Sequence, residues 1–265
     1  MNAAVLEPVS PLLRVARTLA LPVALVVLWQ LWAMNLPVGS PAPAPLKVVQ
    51  SFMVLITSGG LINATAQSLA RVLLGFVFAS LLGVTLGVLM GSSRKVRENL
   101  NPIIESFRPI APMAILPIAI LWLGTGTPTA LGIVAYAAFF PVLINTMHGV
   151  SHVDRKLVLA ARTMGVPPMK ILMRVVLPGA LPSILLGSRL AMGVAWTAII
   201  AAELAVGAKS GDGGSGGIGQ MMFVFYAYSI DLNAIVVCMI MVGVVALLID
   251  RLFRSIEHRL IPWRQ

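Results

Sequence analysis

Six apolar stretches, each near the length needed to cross a bilayer, constrain this chain more than any other feature. They are Leu19–Leu36, Val72–Met90, Ile110–Leu123, Thr129–Met147, Ile184–Val206 and Ala234–Ile249. A membrane-spanning helix needs about 20 largely apolar residues. The third stretch is short and interrupted by prolines, so it fits that template least well. Composition agrees: 58% of residues are hydrophobic, 11% are charged and the mean hydropathy is +0.95. Soluble domains carry about 25% charged residues. A chain with so few cannot clothe a water-facing surface, which excludes a soluble enzyme and a disordered protein. The first stretch could also be read as the apolar part of a signal peptide, because Arg14 and Arg17 precede it. Its length, and Pro41, Pro43 and Pro45 after it, suit a cleavage site poorly. The fold class expected is therefore all-α, a polytopic membrane protein of about six helices.

The formal net charge of +10 acquires meaning once the basic residues are placed. Cytoplasmic loops of membrane proteins are enriched in Lys and Arg. With the N-terminus inside, the cytoplasmic side receives Arg14, Arg17, Arg94, Lys95, Arg97, Arg108, Arg155, Lys156, Arg162, Lys170, Arg174, Arg251, Arg254, Arg259 and Arg264. These are fifteen of the 19 basic residues. Lys47 and Lys209 fall in outer loops, and Arg71 and Arg189 sit at or inside helix ends. The asymmetry places both termini in the cytoplasm of a multi-pass inner-membrane protein, and it accounts for the basic balance without nucleic acid. The expected organisation is a cytoplasmic N-terminal segment over residues 1–18, a membrane domain over 19–250 and a cytoplasmic tail over 251–265. The outer segment Pro37–Gln67 holds a short candidate helix, Leu46–Ile56.

Several motifs can be weighed quickly. Gly214, Gly216 and Gly219 satisfy G-x-G-x-x-G, but no strand precedes them and the topology puts them outside. A dinucleotide site needs those glycines between a strand and a helix. A mobile or gate-forming loop is the better reading of Gly207–Leu232. No P-loop signature, H-E-x-x-H motif or Ser/His/Asp set is present, and Cys238 is the single cysteine. No catalytic residue, cofactor or metal site is read from the sequence. In the second stretch small residues recur every four positions, at Gly75, Ala79, Gly83, Gly87 and Gly91. Such a stripe lets another helix approach closely, within the chain, at a subunit interface or along a pore. Pro109, Pro112 and Pro117 break the third stretch, and broken helices at membrane depth are tolerated when buried in protein or lining a watery cavity. Ionisable groups within spans are functional candidates by default. Arg71 and Arg189 could attract an anion, and Glu203 suits a structural bond or a gate contact. With Pro112 they form the candidate translocation path.

The longest cytoplasmic segment, His148–Pro182, is the most informative. Ala160 and Ala161 give a helix with a small, smooth face, and Gly165 can end it in a left-handed conformation. Pro167 and Pro168 favour a restart, since proline suits a first helical turn. Ile171, Leu172, Val175 and Val176 present an apolar face, and Pro178 is expected to end the second short helix. Small and apolar residues ringed by Lys and Arg make either a docking knob or a hairpin lying on the membrane surface.

This segment resembles the EAA signature of ABC-importer permeases: E-A-A, three residues, G, nine residues, I, one residue, L-P. Ala160, Ala161, Gly165, Val175, Leu177 and Pro178 fall on it in register, with Leu159 in the glutamate position and Val175 in place of isoleucine. The stretches SLARVLLGF, RPIAPMAILPIAILWLG, Ile144–Val158 and LPGALPSILLGSRLAMGVAW followed by AAEL look like the nitrate/sulfonate/taurine branch. The resemblance implies a type I permease architecture. It also implies docking of Leu159, Ala160, Ala161, Gly165, Pro168, Val175, Leu177 and Pro178 on a cytoplasmic ATPase. The implied partners are two ATPase subunits, a second permease subunit (a homodimer is expected), an extracytoplasmic binding protein and the lipid bilayer. The implied function is ATP-driven import of a small anionic solute by alternating access. A secondary transporter driven by an ion gradient is the alternative, and it would call for a proton relay or inverted halves.

Overall fold

A computed structural model describes residues 11–35, 37, 42–207 and 216–260, and no strand occurs among them. The helices are α1 (Pro11–Met34), α2 (Pro45–Thr57), α3 (Gly60–Ser92), α4 (Arg94–Phe107) and α5 (Pro112–Leu123). They continue as α6 (Thr127–Ser151), α7 (Arg155–Thr163), α8 (Pro168–Val206), α9 (Ile218–Val224) and α10 (Leu232–Leu260). Four of them, α3, α6, α8 and α10, are long and apolar enough to cross a bilayer. A fifth crossing results if α4 and α5 are taken as one span, bent by 91°. Most of the first expected stretch lies in α1, whose described apolar part, Ala20–Met34, is shorter than a full span, and Leu36 lies outside the described residues.

The centre of the bundle is set by α3 and α6. Gly75 lies against Val134, Gly83 against Val142, Gly87 against Thr146 and Gly91 against Val150. Both sets of numbers rise together, so the two helices run parallel. A Cβ added at Gly87 would stand 2.7 Å from Thr146 Cβ and 2.8 Å from the Leu143 carbonyl. In lipid, helix association rests on this kind of close van der Waals contact, because expelling apolar surface from water is not available as a driving force. The small-residue stripe thus serves packing within the chain.

α8 packs on the other side of α6 and runs the opposite way, with Gly149 against Ser183 and Gly187 against Asn145. The largest fully enclosed side chain, Trp196 on α8, donates its indole N–H to the Val242 carbonyl of α10 at 3.1 Å. At the periphery α2 bridges α1 and α10. Trp29 Nε1 donates to the Pro43 carbonyl (3.0 Å), and the Ala44 amide donates to Asn233 Oδ1 (3.1 Å).

A parallel α3–α6 pair requires the chain between them to return across the bundle. That return differs from the expected single span Ile110–Leu123. Ala111 precedes a proline and is extended (φ −64°, ψ 138°), since the ring of the next residue disfavours helix there. The helix therefore starts only at Pro112 and has 12 residues, about 18 Å at 1.5 Å each. This is short of the roughly 30 Å hydrocarbon layer. The amphipathic α4, with no buried residue, precedes α5 at a 91° bend. Tyr136 of α6 pins the elbow by donating its hydroxyl to the Phe107 carbonyl at 2.7 Å. Gly124 (φ 75°) then turns the chain into α6, and Thr129 bonds back to the Gly124 carbonyl.

α3 begins well before the expected Val72, because Asn63, Gln67, Ser68 and Arg71 lower the hydropathy of a segment that nonetheless continues the helix. At 33 residues it is about 50 Å long.

The glycine stripe yields a contrast that can be measured. Gly87→Leu should lower the thermal unfolding midpoint in detergent, with an overpacking cost of about 1–3 kcal/mol. Gly193→Ala, where an added Cβ meets nothing within 4 Å, should leave the midpoint unchanged or raise it.

Candidate functional site: the α7 loop and the charged contacts of α8

The loop between α6 and α8 is built by local chemistry. Asp154 caps α7, its carboxylate accepting the Lys156 amide at 2.9 Å. At the other end the Gly165 amide donates to the Arg162 carbonyl (3.0 Å) and the Val166 amide to the Ala161 carbonyl (3.1 Å). This pair of bonds, with Gly165 at φ 73°, is a Schellman ending that fixes where α7 stops. Pro167 is extended, and Pro168 opens α8 at its first turn. Leu157, Leu159, Met164 and Met169 are exposed, while Ala161 and Ile171 are buried. Ala160, Gly165, Pro168 and Pro178 lie at the surface, and Val175 and Leu177 are half-buried. A cleft of about 510 Å³, lined by Val150, Val158, Arg162, Ile171 and Val176 among others, separates α7 from the helix ends behind it.

Pro178 does not end a second short helix as expected. The chain from Pro168 to Val206 is one helix of 39 residues. A proline inside a helix removes one amide donor and crowds the carbonyl four residues back. Here the preceding turn, Leu172–Val176, is widened to π geometry, with the Leu177 amide bonding the Leu172 carbonyl. The widened turn accommodates the ring, so the loop is joined to the core by a single long rod.

Toward its other end α8 carries Glu203, only 2% exposed. Arg71 Nη1 of α3 lies 2.8 Å from Glu203 Oε1. The Ser68 hydroxyl faces both carboxylate oxygens, at 2.7 and 3.0 Å, and itself accepts the Ile218 amide at 2.9 Å. The Gly219 amide donates to Glu203 Oε2 at 3.0 Å. These amides belong to the first turn of α9, whose free N–H groups favour an anion. Glycine is required around this carboxylate: a Cβ at Gly217 would overlap it, and one at Gly219 would lie 2.6 Å from the Ile200 carbonyl. The part of the glycine-rich motif that includes Gly214 lies outside the described residues. Gly216 lies just before α9, and Gly219 is buried within it.

Of the four residues expected along a path, Arg71 and Glu203 meet each other. Pro112 opens α5 at the elbow. Arg189 lies elsewhere on α8, with Nε 2.7 Å from Asp250 of α10. Ser68 and Asp250 were not singled out from the sequence. Their only signal there is a polar residue within an apolar helix, and the pairing is a product of the fold.

Residues 79–262 match the family model for the binding-protein-dependent transport system inner membrane component. The chain belongs to this family. A chain of Methanocaldococcus jannaschii, provisionally named an ABC transporter permease protein, is 38% identical over 93% of this chain and 91% of its own length. The taurine transport system permease protein TauC of Escherichia coli is 34% identical, over 92% of this chain and 87% of that one. The nitrate import permease protein NrtB of Synechocystis is 33% identical, over 91% and 87% respectively. Among solved structures, an inward-facing MetNI methionine ABC transporter aligns with a TM-score of 0.66 at 19% identity. That alignment covers 77% of this chain and 97% of that one, and it supports the type I permease fold. The chain is thus an ABC-importer permease subunit of the inner membrane.

Arg71→Met should strand the enclosed Glu203 carboxylate. Removing one partner of a buried ion pair costs about 3–5 kcal/mol. Unfolding of the purified permease in detergent should show that loss, and adding Glu203→Gln to Arg71→Met should recover part of it.

Proposed function

We propose that this permease moves a small anionic solute into the cytoplasm by alternating access, driven by two separate ATPase subunits that dock on the α7 loop. A second copy of the chain completes the path, and an extracytoplasmic binding protein delivers the solute. Both termini then lie in the cytoplasm, a placement supported by the distribution of basic residues. The permease itself carries out no chemistry.

The observation that carries this reading is the construction of the loop. α7 is closed at both ends by capping bonds and stands away from the bundle over a cleft of about 510 Å³. Through the extended Pro167 it meets a 39-residue helix that reaches the protein core. A force applied to α7 is therefore delivered to a rod about 58 Å long. Leu159, Ala160 and Gly165 offer the ATPase a small, apolar surface, and Arg155, Lys156 and Arg162 surround it. ATP supplies what a conformational change needs, a ligand with different affinity for two states.

The solute class rests on relatives. Those named for taurine, nitrate and bicarbonate transport share an anionic group in the named solute. In this reading the Glu203 cluster acts as a contact of the outer gate, because it ties α3, α8 and α9 together on the side away from α7. Pro112 sets the elbow of the bent return.

Co-expression with an ATPase and a binding protein encoded beside it provides the test. The wild-type chain should bring down a P-loop ATPase in mild detergent. Gly165→Pro, or Leu159→Asp on the exposed face of α7, should reduce solute-stimulated ATP hydrolysis by at least about tenfold, a loss of roughly 1.4 kcal/mol in coupling. Membrane insertion and the unfolding midpoint of Leu159→Asp should stay at the wild-type level. Normal stimulated hydrolysis in both variants would remove α7 from the docking site. A thermal-shift screen of the partner binding protein against nitrate, bicarbonate, taurine and alkanesulfonates should single out an anion.

A further inference from the structure

We propose that Arg189 is a positioning residue that yokes α10 to α8, so that a displacement arriving at α7 is passed on to the C-terminal helix. The proposal rests on the importer reading given above and assigns to Arg189 a contact with protein in place of one with solute.

Arg189 reaches α10 through two of its guanidinium nitrogens. Its Nε and Nη2 lie 2.7 and 2.6 Å from the same carboxylate oxygen, Asp250 Oδ1. The other oxygen, Oδ2, is held by Arg254, with Nε and Nη2 both at 2.9 Å. Glu257 Oε2 stands 3.9 Å from Arg189 Nη1. Asp250, Arg254 and Glu257 fall on one face of α10, spaced by four and then three residues. Two arginines and two carboxylates sum to zero charge, so the quartet presents no net field that would draw an anion. It is suited to holding helices together, where charges in a span persist by pairing.

α10 has need of such a hold. Only 22% of its most apolar window is buried within the protein, against 39% for α8. Besides the Arg189–Asp250 bond, Trp196 of α8 donates to the Val242 carbonyl at 3.1 Å. The two anchors are spaced about two helical turns apart on both helices. Two separated anchors transmit rotation as well as translation, whereas one would act as a pivot. α8 begins at the α7 loop, so motion of that loop is conveyed across Arg189 to α10.

The test uses the complete complex of permease, ATPase and binding protein in proteoliposomes, with solute uptake and ATP hydrolysis read in the same vesicles. Arg189→Ala and Asp250→Asn should each retain solute-stimulated hydrolysis and lower the solute imported per ATP by about tenfold, the scale on which contacting charged groups couple. Replacing both residues with Cys in a Cys238→Ala background, then bridging them with a short bis-maleimide, should restore the yield per ATP. Rescue by a neutral bridge is a result that a solute-binding arginine would not give. Full uptake in Asp250→Asn together with loss in Arg189→Ala would overturn the proposal and place Arg189 against the solute. A bridged pair that melts like wild type but still imports poorly would also overturn it. Absence of ATP-dependent uptake in the wild-type complex would overturn the importer reading itself.

Discussion

The close parallel approach of α3 and α6 is the constraint on which the rest of the molecule depends. In a bilayer the lipid tails are as apolar as the side chains, so helices gain from one another chiefly what close contact and hydrogen bonding provide. Four glycines on α3 let the Val134, Val142, Thr146 and Val150 side chains come within about 3 Å of where a Cβ would be. That contact fixes the register of α6. The opposite side of α6 receives α8 through Gly149 and Gly187. The parallel sense of the first pair also dictates the bent return through α4 and α5, whose elbow is then tied to α6 by Tyr136.

Few charges remain once the loops are set aside, and the structure uses them to brace one helix. Glu203 binds α8 to α3 and to the first turn of α9. Arg189 binds α8 to α10. α8 is also the helix that begins at the α7 loop. The long rod is thus the common member of the ionic contacts within the bundle, held near its far end and again part-way along. The Arg71–Glu203 attachment is enclosed, whereas the Arg189–Asp250 pair is partly exposed, and exposure weakens an ion pair.

Much of this was legible in the sequence wherever the determinant is local. Gly165, Pro167 and Pro168 announce the end of one helix and the start of another within a few residues, and the backbone does what they require. The four-residue spacing of glycines on α3 identified a packing face, although only the structure supplied its partner. Averaged hydropathy obscured the rest. It began α3 too late because Ser68 and Arg71 dilute the apolar signal, yet those two residues form the cluster around Glu203. It took Ile110–Leu123 as a span of its own and left Arg94–Phe107 among the loops, because the polar residues of α4 hide that helix from an apolar average. Pro178 misled for a related reason: a widened turn just before it removes the conflict that a proline creates. Pairings such as Ser68 with Glu203, 135 residues apart, have no local signature at all.

The distance between Arg71 and Glu203 along the chain has a consequence for biogenesis. Arg71 is synthesised 132 residues before the carboxylate that neutralises it. While the intervening helices emerge, α3 sits in the bilayer with its guanidinium lacking that partner, and the long side chain must reach toward the headgroups for hydration. Seating α3 at its final depth is therefore a late event, coupled to the arrival of α8. The glycine-lined face of α3 need not wait for that step, because α6, which covers it, precedes α8 in the chain.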